Sequence, residues 1–401
     1  MAIRIGLCSD IDLESRFKHM TTKKWLEYEE DQLNGFEHLI KTIVKQKVDA
    51  FFIAGNLFGS PKPKNRTIEK VVKLFKDLEI KGIECFILPG DRDTPLNFSN
   101  DRPVHHIFED LENVHLLLRE DLQELRSRTV NKSSFSGMIK NEKLNLFNSP
   151  SPFISLDELQ LTIETEENSC NIFVISDVFA FKKDVEAIYK NFLEQLNGTG
   201  INYLFIGGNI PQNIKNRGLK FKIIQCPQIH QNKFEYCDGN HGLLIETFDK
   251  GQFQGSSKFV PISKFDVVYN QINVNQIVTT EINRQISENI MNLSDLKKNI
   301  LRITLLGDLD KSEYHGIEMF KYQKMGRRMN YYFELYDQIE FKESSPDIQG
   351  LNPLIELEQF KDNIISEALK DDNLSNSEKK EISSVYEGCL LYTSPSPRDR
   401  S

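Results

Sequence analysis

Asp49-Ala50-Phe51-Phe52-Ile53-Ala54-Gly55-Asn56-Leu57-Phe58 is the stretch whose reading decides the fold. The apolar run Ala50–Ala54 reads as a short strand, and Gly55-Asn56 ends it in a polar turn. Upstream, Ile3–Cys8 reads as another strand. Trp25–Lys47 carries Leu33, Phe36, Leu39, Ile40, Ile43 and Val44 at helical spacing, which predicts a helix. Downstream, the pattern predicts a helix over Ile68–Leu78 and a strand over Ile83–Leu88. Further strands are expected at Ile172–Ile175, Tyr203–Ile206, Phe221–Ile224 and Gly242–Glu246, with a helix over Val185–Leu196. Short apolar runs alternating with amphipathic stretches are the signature of a layered α/β fold.

Each strand stops at a polar or glycine-rich turn. These turns are Ser9-Asp10-Ile11-Asp12, Gly55-Asn56, Pro89-Gly90-Asp91-Arg92-Asp93, Ser176-Asp177 and Gly207-Gly208-Asn209. In open α/β sheets ligands gather at the carboxyl ends of strands. Any one of these turns could be a plain connection. Five of them at five strand ends point to a shared site.

A chain of 401 residues exceeds one ordinary core, so two domains, or one with appendages, are expected. With 39% hydrophobic and 27% charged residues the composition excludes wholesale disorder. No apolar run reaches the roughly 20 residues of a membrane helix. No basic region or cleavage site precedes Ile3, so no secretory leader is read and a cytoplasmic location is expected, without a membrane association. The six cysteines, Cys8, Cys85, Cys170, Cys226, Cys237 and Cys389, form no CxxC pair and read as free thiols. The net charge of −9 is unlike a free-standing DNA binder. Much of it lies between Phe341 and Gly388, where 5 Lys face 11 Asp and Glu. A local basic surface on the remainder stays open.

The domain reading places 1–262 in the main α/β domain and 263–345 in a small α/β capping domain. The latter has strands at Phe265–Tyr269, Ile300–Leu306 and Tyr331–Leu335 and a helix at Glu281–Met291. Residues 346–388 form an acidic segment in which Gly350–Pro353 opens a helix, Leu354–Leu369. Residues 389–401 resemble a translated sequencing adapter or a Pro/Ser-rich disordered tail, and stand outside the fold.

In order and spacing these turns resemble the calcineurin-like metallophosphoesterase superfamily, closest to the SbcD-type DNA repair exonucleases. That family writes D-x-H after its first strand, G-D-L-F after the second and G-N-H-D after the third. A His follows a later strand, and G-H-x-H the one after. Here Ser9-Asp10-Ile11-Asp12-Leu13, Ala54-Gly55-Asn56-Leu57-Phe58 and Pro89-Gly90-Asp91-Arg92-Asp93 stand at the first three, Ser176 at the fourth and Gly207-Gly208-Asn209-Ile210 at the fifth. Cys226-Pro227-Gln228 and His241–Glu246 resemble later family segments, so the frame spans about 260 residues. The resemblance implies a four-layer αββα sandwich with a small C-terminal α/β domain. It also implies two metal ions held by Asp, Asn and His, which activate a water.

Most of those ligands are replaced. Only Asp10 is kept. Asp12 stands for a histidine, Asn56 for the bridging aspartate, Asp91 for the asparagine and Arg92 for the catalytic histidine; Ser176 and Gly208 stand for ligand histidines. A neutral amide at 56 cannot bridge two cations as a carboxylate does. Arginine stays charged and cannot act as a general acid or base. Asp10, Asp12 and Asp91 could gather one Mn²⁺ or Mg²⁺ ion around Asn56. Alternatively, Asp10, Asp12 and Asp93 cap turns or pair with Arg92, and this second reading is favoured, with no cofactor. Arg92 could also hold a phosphate.

By resemblance, the expected role is a non-catalytic nuclease-family subunit in double-strand-break repair or DNA end processing. It would work with an SbcC-like coiled-coil ABC ATPase and DNA ends, and a homodimer stays open. The alternatives are an active metal-dependent exonuclease with a rebuilt site and a polymerase-associated scaffold. Lys62-Pro63-Lys64-Asn65-Arg66 and Gly326-Arg327-Arg328 read as basic surface patches. His105-His106 reads as a core or surface pair. Asp10, Asn56, Asp91, Ser176 and Gly208 are expected to converge on one pocket.

Overall fold

In a computed structural model the apolar strands of the sequence pair into two sheets, and the three layers of core between them and their helices account for the architecture. The structure describes residues 2–17, 20–95, 103–118, 128–176, 185–208, 218–230, 241–249, 252–253, 257–292 and 299–341. The first sheet runs through β1 (Ile3–Cys8), β2 (Ala50–Ala54), β3 (Glu84–Leu88) and β4 (Val114–Leu116), all parallel. Helices α1 (Thr22–Lys45) and α2 (Asn65–Ile80) make the crossovers between its first three strands. The second sheet contains β6 (Phe135–Ile139), β7 (Glu142–Asn148), β9 (Cys170–Ile175), β10 (Tyr203–Ile206) and β11 (Lys222–Gln225) in the order 11-10-9-7-6. A small pair, β5 (Thr129–Val130) and β8 (Gln160–Leu161), lies apart from both sheets. Helix α3 (Val185–Leu196) connects β9 to β10. The chain then returns through β12 (Gly242–Asp249), which joins β1 antiparallel, with β13 (Gln252–Phe253) and β14 (Lys258–Pro261) at its side.

Side-chain alternation along the strands sorts the core into layers. Phe51 and Ile53 of β2 face Phe36 and Leu39 of α1 and Leu74 and Phe75 of α2. Ala50, Phe52 and Ala54 of the same strand point the other way, into a cluster with Leu144, Ile172, Val174 and Phe205 of the second sheet. Phe173 and Ile175 then face Tyr189, Phe192 and Leu196 of α3. The result is the four-layer αββα sandwich. A strand buried on both faces must be apolar at every position, which is why Ala50–Ala54 shows no polar alternation.

After β14 the chain forms a three-stranded sheet, β15 (Asp266–Asn273), β16 (Asn299–Leu309) and β17 (Tyr332–Phe341), with β15 parallel to β16. Helices α4 (Thr279–Met291), α5 (Lys311–Tyr314) and α6 (Met319–Met329) interleave with it. This is the small α/β module, and most of it shares one compact unit with the sandwich, Met1–Gly307 with Gly316–Ile339. Phe17 and Tyr28 of the first module pack with Phe265, Ile300 and Tyr332 of the second. Lys24 of α1 donates to the carbonyls of Arg327, Asn330 and Tyr331 at 3.1, 3.0 and 2.7 Å. Burial there lowers the Lys24 pKa, with the neighbouring Glu27 opposing and Arg327 assisting. Asp308–His315 and Glu340–Phe341 fall to a second unit, within which the Tyr314 and Phe341 rings meet edge to face at 5.2 Å.

Several local expectations are corrected. Phe135–Ile139 and Glu142–Asn148 form an antiparallel hairpin, Thr129–Val130 pairs with Gln160–Leu161, and β4, β13 and β14 were not anticipated either. Gly326-Arg327-Arg328 lies in the last turns of α6. There positive side chains complement the partial negative charge of the carbonyl end. Lys64-Asn65-Arg66 begins α2, and its charges are met by α1: Lys64 with Glu29, and Arg66 with Glu30 at 2.5 Å. Lys64 also lies 4.5 Å from the centre of the Trp25 ring. Cys8, Cys85, Cys170 and Cys226 are buried and free. Cys237, Cys389, the expected helix Leu354–Leu369 and the segments 346–388 and 389–401 lie outside the described residues. Among the described residues no helix is long and apolar enough to cross a membrane.

Candidate functional site

The loops after β1, β2 and β3 meet because their strands are adjacent and parallel. Backbone bonds then stitch them together. Asp12 N–H donates to the Asn56 carbonyl at 3.1 Å, Leu13 N–H to Leu57 at 3.1 Å, and Gly55 N–H to Leu88 at 2.9 Å. Asp10 and Asp12 hold φ at 40° and 50°, the left-handed region that Asp tolerates better than most residues. This turns both carboxylates inward, and each residue is only 2% exposed. From α1, Gln32 anchors the next part of the loop, accepting from Glu14 N–H at 3.1 Å and donating to the Ser15 carbonyl at 3.2 Å.

Asn56 sits at the hub. Its amide nitrogen donates to Asp10 Oδ1 at 2.9 Å and reaches Asp91 Oδ1 at 3.4 Å, while its oxygen accepts from Arg92 N–H at 2.8 Å. This orientation is the one the surrounding carboxylates dictate, since the reverse would set oxygen against oxygen. The Arg92 side chain turns into the same space. Nη1 is 2.6 Å from Asp12 Oδ2, and Nη2 is 3.8 Å from Asp10 Oδ1. Burial works to lower the Arg92 pKa, but Asp12, Asp10 and Asp91 prevail and raise it, so it stays charged. Burial pushes the Asp10 carboxyl up, against Arg92 and the hydrogen bonds from Asn56 and Gln228.

Asp93 has a separate task. Fully buried, it accepts from Leu57 N–H at 2.6 Å, Phe58 N–H at 3.3 Å and Gly90 N–H at 2.9 Å. His105 Nε2 lies 3.1 Å from the same carboxylate. His105 is thus a core residue supporting the loops, and His106 contacts Glu109 at the surface.

The loops of the second sheet close the far side. Gly207 lies so near β2 that a Cβ there would stand 1.8 Å from the Ala54 carbonyl oxygen. No other residue type permits this approach of the two sheets. Gly208 N–H donates to Ser9 Oγ at 3.3 Å, and Ser9 Oγ in turn donates to the Cys226 carbonyl at 2.8 Å. Ser176 is buried beside Gly55, where an added Cβ would be 3.4 Å from Ser176 Cβ and 3.0 Å from Asp10 Oδ1. Asp10, Asp12, Asn56, Asp91, Arg92, Ser176 and Gly208 therefore lie at one place, while Asn209 and Ile210 are outside the described residues. Sequence reasoning did not single out Ser9 or Gln225, which donates to the Gly208 carbonyl at 3.0 Å. Gln228, which reaches Asp10 Oδ2 at 3.4 Å, was quoted only as part of a resembling segment.

These residues do not fit a two-metal centre. Asn56 presents N–H donors to the centre, and a cation repels these. Around it stand a guanidinium, a buried hydroxymethyl group and a glycine, none of them a cation ligand. Among the described residues no three His, Cys, Asp or Glu side chains group so as to hold a metal ion. Arg92 is turned toward Asp10 and Asp12, whose charges oppose the approach of a phosphate.

Residues 3–157 match the Calcineurin-like phosphoesterase family. Over 69 residues the chain is 36% identical to the DNA double-strand break repair protein Mre11 of Aeropyrum pernix, covering 17% of each chain. Over 92 residues it is 29% identical to the protein of the same name from Saccharolobus solfataricus, covering 23% of this chain and 24% of that one. A third, from Sulfurisphaera tokodaii, is 29% identical over 93 residues, again 23% of this chain and 24% of that one. The matches thus span a quarter or less of these relatives.

Proposed function

Starting from a chain that carries a calcineurin-like phosphoesterase domain, we propose that it is a non-catalytic nuclease-family subunit. It acts at DNA ends in double-strand-break repair or end processing, beside an SbcC-like coiled-coil ABC ATPase. The observation that carries this reading is Arg92, a permanent cation set 2.6 Å from Asp12 in the space between the motif loops. A site that catalyses phosphodiester hydrolysis needs a base and an electrophile there. The Arg92 guanidinium cannot act as a base, and its charge is already paired with Asp12 instead of open to an incoming phosphate. The buried sandwich core supports a retained binding role, and the similarity to Mre11 proteins supports DNA ends as its setting.

The test is co-purification with the ATPase, measured beside a manganese-dependent nuclease assay. Association survives Asp10→Ala and weakens when residues from about 346 onward are removed, because the acidic C-terminal segment makes the contact. Folding of the sandwich, followed by circular dichroism, is unchanged by that removal. Association lost on Asp10→Ala, or untouched by the truncation, contradicts the proposed interface.

A further inference from the structure

Two carboxylates buried in one loop need a counter-charge, since an unpaired buried charge is strongly destabilising. In this centre Arg92 meets both Asp10 and Asp12 with its guanidinium. Its backbone N–H holds Asn56 Oδ1, and the Asn56 amide reaches Asp10 and Asp91. One residue thus links the loops after β1, β2 and β3. The loop after β1 keeps its inward conformation with Asp10 and Asp12 at positive φ, a strain that must be offset by the contacts made there.

We infer that Arg92 is the built-in cation of this centre. It neutralises the buried carboxylates that divalent ions would otherwise neutralise, and it makes the fold independent of metal. Its removal uncovers a latent site at which Asp10 and Asp12 take one divalent cation, Mn²⁺ or Mg²⁺. This rests on the reading that the two-metal centre is lost, but it does not depend on the ATPase or on DNA. The guanidinium suits this place on chemical grounds: it is planar, keeps its charge, hydrogen-bonds Asp12 and faces Asp10 at ion-pair distance. A glycine at 55 leaves room for Asp10 Oδ1, which a Cβ would meet at 3.0 Å. Hard oxygen donors of this kind suit Mg²⁺ and Mn²⁺ once the competing charge is gone.

Thermal unfolding of the full chain tests this, with each protein measured in EDTA and in about 1 mM MnCl₂, a concentration at which a weak site shifts the midpoint by mass action. Wild type melts at the same temperature in both. Arg92→Ala in EDTA loses about 5–10 °C, the scale set by an uncompensated buried charge in a domain of this size. Manganese returns several degrees of that loss, increasing with concentration. Arg92→Ala/Asp12→Asn is less destabilised than Arg92→Ala and gains nothing from manganese. Arg92→Lys, which keeps a positive charge, loses less and is also indifferent to the ion. Should Arg92→Ala not fold in EDTA, refolding in manganese recovers it. An Arg92→Ala protein that keeps wild-type stability, or that manganese neither stabilises nor rescues, overturns the inference while leaving the proposed function standing. A wild-type protein that manganese stabilises overturns both, because a metal centre then persists beside Arg92.

Discussion

Asp93→Ala removes the acceptor on which three backbone N–H groups and one buried imidazole converge. The Leu57 and Gly90 donors lie at 2.6 and 2.9 Å, and Phe58 is weaker at 3.3 Å. A hydrogen bond to a charged acceptor contributes about 1.5–3 kcal/mol, and each buried donor left unpaired costs about 1–3 kcal/mol. These terms overlap, so the expected loss is about 4 kcal/mol, within the range seen when one member of a buried pair is removed. Against a total stability of about 5–15 kcal/mol that is a large fraction. The single tryptophan, Trp25, held between Arg16 and Lys64, reports unfolding in urea by its fluorescence. With a slope of about 3 kcal/mol per molar urea the midpoint falls by about 1 M. Asp93→Asn keeps one oxygen acceptor but sets an amide N–H against one of the donors, and loses about half as much. A midpoint for Asp93→Ala within about 0.2 M of wild type refutes the reasoning, since the loops would then hold together without this carboxylate.

Gly35→Ala in α1 places a Cβ 2.4 Å from His230 Cε1. The resulting overpacking, about 1–3 kcal/mol, outweighs the gain of up to about 1 kcal/mol in helix propensity, and a lower urea midpoint checks it. Lys24→Met leaves three carbonyls at the end of α6 without their donor and costs about 1–2 kcal/mol at this half-buried site; faster amide exchange over residues 319–331 is the expected readout. Burial lowers the His230 pKa from 6.5 to about 4. The unfolded chain therefore binds a proton between those values that the folded chain refuses, and stability falls as pH falls through that window, by about 3 kcal/mol in total. In His230→Leu, urea melts at pH 7, 6, 5 and 4 show this slope reduced; an unchanged slope contradicts the assignment to His230.

Where the core dictates the residue type, the fold was legible. Ala50–Ala54, Val185–Leu196 and Tyr203–Ile206 have the same bounds in the sequence pattern as in the structure. The β6–β7 hairpin was hidden because asparagines occupy positions that read as surface. Asn145 is buried and bonds to Asn171 at 3.1 Å, and Asn148 donates to the Leu117 carbonyl at 2.8 Å. Polar residues satisfied inside a sheet carry no periodic signal. Helix α6 was not read from the sequence, where Gly326-Arg327-Arg328 counted only as a basic patch; the glycine sits inside the helix because a Cβ would stand 2.3 Å from the Phe333 ring. At the site, the turns at the strand ends were readable from residue type and order. The pairing of Arg92 with Asp10 and Asp12 was among the favoured readings, but the position of Asn56 between the three loops was not readable, since its amide bonds span residues 35 and 46 apart. The Asp93–His105 pair joins residues 12 apart and the Asp93–Leu57 bond residues 36 apart, separations that match no local motif.

The central claim is that the motif loops keep their fold without keeping metal chemistry. The most direct measurement is single-turnover cleavage of duplex DNA ends in manganese, with protein in excess over DNA and Asp10→Ala beside the wild type. The account predicts that neither protein releases nucleotides above a buffer control. Cleavage by wild type that Asp10→Ala abolishes would contradict it and establish a rebuilt catalytic metal site around Asp10, Asp12 and Asp91.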